Sequence, residues 1–214
     1  MDNQLKEIVG ATLAAIGTII SAVSTIPVKS KKMEKLFDGL DIVGNSLQGT
    51  GNALQADGQS GPSLEKVGNE IQAIGNSIVI AGLTLDLKED NEDKLVIAGN
   101  WLQALGGAAA LGDEFEDPTA AGQLFNINGN LLQSIGNSLQ AYGGTINLRE
   151  KERGDSGESA NNIIAVGSWI QAVGSVLSVI GQLQEENQEI SSDSSEENNE
   201  PDSKTSVWLN EELL

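Results

Sequence analysis

The side chains in this sequence that could take part in chemistry are carboxylates and amides, because its 214 residues include no histidine and no cysteine. Without those two types the commonest general base, transition-metal ligands and thiol nucleophile are absent, which closes off most hydrolase triads and most zinc or iron sites. Disulfide staples are excluded as well. Paired carboxylates, Glu89 with Asp90 and Glu114 with Glu116, could serve acid/base catalysis or calcium binding. Neither pair sits in a sharp motif. The stretch 86–93 lacks the alternate-position ligands and closing glutamate of a helix–loop–helix calcium site, so it reads as a solvated loop. No phosphate-binding glycine loop or nucleophile elbow occurs either. The sequence therefore supplies no catalytic, cofactor-binding or metal-ligating residue, and the expectation is a protein that is not an enzyme.

The amides, in contrast, are strongly patterned. Asn45, Asn69, Asn100 and Asn130 each follow a glycine, and Gln48, Gln72, Gln103, Gln133 and Gln171 fall at the fourth position after one. Asn52, Asn76 and Asn137 follow the next glycine along. Spacings of three and four gather these amides on one face of a helix. That face is expected to point outward and to hydrogen-bond to another helix, another protomer or a lipid interface, rather than to be merely wet.

These residues belong to a repeat. LDIVGNSLQGTGNALQADG from Leu40 is followed by LEKVGNEIQAIGNSIVIAG from Leu64 and LVIAGNWLQALGGAAALG from Leu95. FNINGNLLQSIGNSLQAYG from Phe125 and IIAVGSWIQAVGSVLSVIG from Ile163 complete the set, and a diverged copy opens the chain at Ile8. Glycine recurs every seven residues, as Gly44 and Gly51, Gly68 and Gly75, Gly99 and Gly106, Gly129 and Gly136, and Gly167 and Gly174. Large apolar residues alternate at intervals of four and three around them, a heptad stripe that predicts one amphipathic helix per copy. Glycine inside a helix costs about 1 kcal/mol relative to alanine, so 25 glycines need a positional reason. Beside the apolar stripe they would let helix axes approach more closely than the usual 8–10 Å or so, and these ten are the expected helix-packing residues.

Charge falls between the copies, in KSKKMEK from Lys29, DLKEDNEDK from Asp86, DEFEDP from Asp113 and REKERGDSGE from Arg149. These stretches read as loops and caps. The expected fold is all-α: an antiparallel helical bundle or layered repeat array of about six glycine-heptad helices. Their expected ranges are 3–26, 33–58, 63–87, 92–112, 119–148 and 158–186, which make a helical repeat domain over 1–186. With 3% aromatic residues, its core must be aliphatic, carried by leucine, isoleucine, valine and alanine; Trp101 and Trp169, at equivalent repeat positions, are expected in the core or at the helix seam. Residues 187–214 form an acidic tail expected to be disordered. Its end restores an apolar cluster, Val207, Trp208, Leu209, Leu213 and Leu214, a candidate docking motif for a groove on a partner or on this protein.

The formal charge of −19 opposes binding to nucleic acid and to anionic lipid. Residues 8–28 carry no charge, are long enough to span a bilayer and are followed by four lysines between 29 and 35. Their repeat phase explains the apolarity without a membrane. The other copies carry an amide or serine every third or fourth residue, which suits lipid only where those groups pair between helices.

The GNxLQxxGNxLQ unit, as it stands in the copies above, resembles uncharacterised repetitive helical proteins encoded by Gram-positive spore-forming bacteria. The resemblance covers nearly all of the chain outside the tail and implies no activity. Together these features favour a non-catalytic structural or interaction protein that associates with itself or with another protein in the cytoplasm. The alternative is a membrane-active protein whose amphipathic helices insert into a bilayer or form a pore.

Overall fold

The computed structural model describes residues 3–87, 90–114, 122–155 and 157–199. Among them the regular structure is six α-helices: α1 Asn3–Ser24, α2 Lys31–Gly58, α3 Leu64–Thr84, α4 Asn91–Glu114, α5 Gln123–Arg153 and α6 Glu158–Asn199. The chain is thus an all-α bundle. Helix starts and stops follow local chemistry. Ser63 caps α3 by accepting a hydrogen bond from the backbone N–H of Lys66, and the carboxylate of Asp113 accepts one from the N–H of Glu65 in the same first turn. Gly154 ends α5 in the left-handed conformation, its N–H returning to the carbonyls of Glu150 and Lys151. Helix α6 runs on to Asn199, into the acidic tail expected over 187–214. The docking motif at 207–214 and the acids Glu89 and Glu116 lie outside the described residues.

Each helix packs against its neighbours in the chain, and α1 closes the circle against α6. The bundle is a ring of three antiparallel hairpins, α1–α2, α3–α4 and α5–α6, the closed member of the architectures that short links between long helices permit. Within each hairpin the backbones meet at glycine. Gly17 faces Gly44 and Gly10 faces Gly51; Gly75 faces Gly99 and Gly68 faces Gly106; Gly136 faces Gly167 and Gly129 faces Gly174. A β-carbon added at Gly68 would stand 2.5 Å from the carbonyl oxygen of Gly106, and one at Gly167 2.6 Å from that of Gly136. No side chain fits there. The heptad spacing follows, since two glycines one heptad apart on each helix bring two such crossings onto one line.

The core differs from the aliphatic one expected. The fully buried apolar residues among those described are ten alanines and Val79, with no leucine, isoleucine or aromatic side chain. Helices drawn together at glycine leave interior room for methyl groups and little more. The large apolar residues face outward or lie in the grooves between helices: Val43, Ile74, Trp101, Leu105, Trp169 and Val173 are all more than 40% exposed. Trp101 and Trp169 are therefore on the outer surface, not in the core.

Candidate functional site

The interior of the ring is built of amides and hydroxyls. All five repeat glutamines, Gln48, Gln72, Gln103, Gln133 and Gln171, are less than a tenth exposed, and Asn76 and Asn137 are sealed at 0%. This reverses the expectation of an outward amide face. Four residues along a helix from a glycine at the hairpin contact, a side chain is carried to the inner side of the ring, while the large apolar residue just before that glycine is carried outward. The sequence pattern fixes that these two sets oppose one another. It does not say which set faces the axis.

At the centre Gln171 joins three hairpins. Its Nε2 donates to Oε1 of Gln48 at 2.9 Å and more weakly to Oε1 of Gln103 at 3.4 Å, while its own Oε1 accepts from Nε2 of Gln140 at 2.8 Å. Gln48 in turn donates to the hydroxyl of Ser21 at 3.2 Å, and Gln133 donates to that of Ser178 at 2.9 Å. Buried amides cost several kcal/mol each when unpaired, so this network is what makes a polar interior tenable. Equivalent copies of one glutamine, supplied by α2, α4 and α6, meet because the hairpins repeat around the ring.

Two chambers occupy the axis. One, with about 20 Å³ of space, is lined by Asn52, Asn69, Gln72, Asn126 and Gln133 among others, and has room for about one water. The other, of about 80 Å³, is lined by residues of all six helices, amides and hydroxyls together with apolar groups such as Val79, Val96 and Ile164. Asp41 opens into this second chamber, where its carboxylate accepts from Nδ2 of Asn45 at 3.0 Å. Burial pushes its pKa up from the usual carboxylate value to about 6, with Asp38 adding like-charge repulsion and hydrogen bonds from Ser21 and Asn45 opposing the rise. Acids also gather at the opposite mouth: Gln182 donates to Glu7 at 3.3 Å and to Glu186 at 2.9 Å, and Asn126 donates to Glu185 at 3.2 Å. Among the described residues no group of three or more acids is arranged to hold a metal ion.

The outer surface is the counterpart of this interior. Each helix carries an uncharged run, at its shortest residues 42–56 of α2 and 71–84 of α3 and at its longest 123–148 of α5 and 159–184 of α6. These runs span about 21 to 39 Å at the α-helical rise of roughly 1.5 Å per residue. Asp41 lies just outside the run of α2, and Glu70 just outside that of α3. The ion pairs Lys6–Asp57 at 2.8 Å and Lys151–Asp93 at 2.6 Å sit at the two ends of the ring. Helices α1, α4 and α6 are each long and apolar enough to cross a membrane.

Within the uncharged runs most of the exposed side chains are apolar; Asn161, Asn162 and Gln184 lie at the ends of the run in α6, and small polar residues are scattered elsewhere. Thr12, Ser46, Thr50 and Ser77 each return their hydroxyl to the carbonyl four residues earlier at 2.8–2.9 Å, and Asn128 does the same with Nδ2 at 2.6 Å. A donor satisfied in this way by its own helix does not depend on water. The combination defines a class: a closed six-helix ring with an amide interior and an apolar coat, sealed by glycine crossings.

The chain belongs to a family of unknown function, DUF6944, whose model matches residues 5–179. That match spans all six helices and stops short of the acidic end of α6. No curated protein and no solved structure matches the chain.

Proposed function

We propose that this chain is a non-catalytic membrane protein that places its apolar coat against lipid and keeps its amide axis inside. One observation carries the reading: the distribution of side chains is inverted relative to a water-soluble bundle, with amides buried and large apolar residues exposed between charged ends. In water the coat is unfavourable, since each half-exposed Leu, Ile or Val forgoes about 1 kcal/mol of burial. In a bilayer the same surface is matched. The hydrocarbon core is about 30 Å thick, within the range of the uncharged runs, and the shorter runs are accommodated by local thinning and by flanking residues that reach the interface. The back-bonded hydroxyls of Thr12, Ser46, Thr50 and Ser77 support the reading independently, because lipid offers them no other partner.

The test is flotation of the purified protein with neutral phosphatidylcholine vesicles, with leakage of an entrapped dye and circular dichroism recorded on the same samples. Flotation with unchanged helicity is expected, and a protein that stays at the bottom of the gradient overturns the reading. A second reading, self-association or docking on another protein, draws on the same exposed faces and on the open apolar groove around Trp169, Val166, Val173 and Leu132. A discrete soluble oligomer by light scattering, without flotation, is its signature. Neither reading involves nucleic acid, which the net charge of −19 repels.

A further inference from the structure

The two chambers stack on one axis. On α2 the lining passes from Gln48 in the larger to Asn52 in the smaller, and on α6 from Gln171 to Ser175, so that about 6 Å of helix separates them. The layer between is the cluster of Gln171 with Gln48, Gln103 and Gln140. Beyond that layer the larger chamber reaches Thr25, just past the end of α1, and the smaller reaches Gln182, which bonds Glu7 at the opposite mouth. Along α6 the lining runs from Ile164 to Gln182, about 27 Å of helix, close to the roughly 30 Å thickness of bilayer hydrocarbon. The glutamine layer is incompletely bonded. Nε2 of Gln103, a residue 2% exposed, has no hydrogen-bond partner, and its Oε1 receives the long 3.4 Å bond from Gln171. A buried donor needs an acceptor, and the side-chain oxygens of Gln48 and Gln171 already accept within the cluster, so water fills the role.

We propose that the axis is a path for single-file water across the bilayer, with the Gln171 layer as its narrowest point. Water passage rests on the membrane reading and names what the polar axis carries. A water bound to Gln103 stands beside the longest bond of the cluster and can replace it, so the layer parts where parting costs least. Amides and hydroxyls share the lining of the larger chamber with Val79, Val96 and Ile164, and a mixed wall of that kind holds water too loosely to trap it. Larger solutes are excluded by the smaller chamber, whose volume of about 20 Å³ has room for about one water. Ions are excluded by the absence of charge at the layer. The ionisable lining residues, Asp41 and Glu65, stand two helical turns away from Gln48 and Gln72 on their own helices, and the layer offers no opposite charge to an ion stripped of its hydration.

The experiment is osmotic shrinkage of phosphatidylcholine vesicles carrying the full-length chain and recovered by flotation, followed by stopped-flow light scattering after a jump in sucrose. The expected result is shrinkage at least about twofold faster than in protein-free vesicles, with a weaker temperature dependence than lipid alone shows, and sodium entry no faster than without protein. Gln171→Ala, which removes the bonds to Gln48, Gln103 and Gln140, should shrink faster again. Should Gln171→Ala fail to fold, the wild-type chain alone decides, through its rate and the temperature dependence of that rate. Floated vesicles that shrink no faster than protein-free ones overturn the proposal and leave the membrane reading standing. A folded Gln171→Ala with the wild-type rate overturns the glutamine layer as the narrowest point, and sodium entry accelerated by the wild type overturns the exclusion of ions. Failure to float overturns the membrane reading itself, and water passage with it.

Discussion

Alanine substitution at two glycines offers a sharp test of how the hairpins are sealed. Gly136 and Gly39 both lie inside helices, and by intrinsic propensity each Gly→Ala change stabilises by about 1 kcal/mol. Their surroundings differ completely. A β-carbon at Gly136 would stand 2.6 Å from the backbone nitrogen of Gln171 and 2.6 Å from the carbonyl oxygen of Gly167, whereas one at Gly39 meets nothing within 4 Å. Backbone cannot swing aside as a flexible side chain can, so α5 and α6 would have to separate along their length. Overpacking of that kind costs about 1–3 kcal/mol, and the displacement also strains the bond from Gln140 to Gln171. We expect Gly136→Ala to destabilise by about 2 kcal/mol net of its propensity gain. Gly39→Ala should stabilise by up to about 1 kcal/mol. For a chain of this size 1 kcal/mol moves the melting temperature by roughly 2–4 °C, so the two variants should shift in opposite directions by readily measured amounts. The assay is thermal unfolding by circular dichroism in one fixed buffer or micelle. If Gly136→Ala melts at or above the wild-type temperature, the glycine crossings do not set the helix spacing.

Three further outcomes are expected. Replacing Gln171 by alanine removes the hydrogen bonds to Gln48, Gln103 and Gln140 together, and should lower stability by about 2 kcal/mol while increasing dye leakage from vesicles carrying the protein, since the centre of the axis is opened. Leu105→Lys places a charge on the apolar coat, where the side chain is 56% exposed, so helicity should be retained in micelles while vesicle flotation falls. Because the folded-state pKa of Asp41 lies above its ordinary value of 3.8, the folded protein holds the proton more tightly than the unfolded chain; the destabilisation Asp41 contributes at neutral pH should fade as pH falls from about 6 towards 4, a trend that denaturant titrations across that window should find in the wild type and not in Asp41→Asn.

The heptad of glycines, the run of amides one and four residues after them and the placement of charge between copies are written in the chain, and they determine six amphipathic helices with two opposed faces. They also dictate that backbones meet at glycine, because few other arrangements justify its propensity cost at a fixed spacing. Which face turns inward is a different kind of question. Helix periodicity is the same whether the amide stripe or the leucine stripe lines the axis, and the usual expectation for water, apolar side inward, pointed the wrong way for Gln48, Gln103, Gln171, Trp101 and Trp169. One local clue was available: in the middle of the outward faces the polar residues Thr12, Ser46, Thr50, Ser77 and Asn128 are ones that satisfy themselves on their own helix, where a wet surface would carry Lys and Glu. Ring closure of α1 on α6, the meeting of three distant glutamines at Gln171, and the placing of Asp41 in a chamber all follow from the angle at which successive hairpins pack. That angle is set by many small contacts between helices far apart in sequence, so only the tertiary structure decided it.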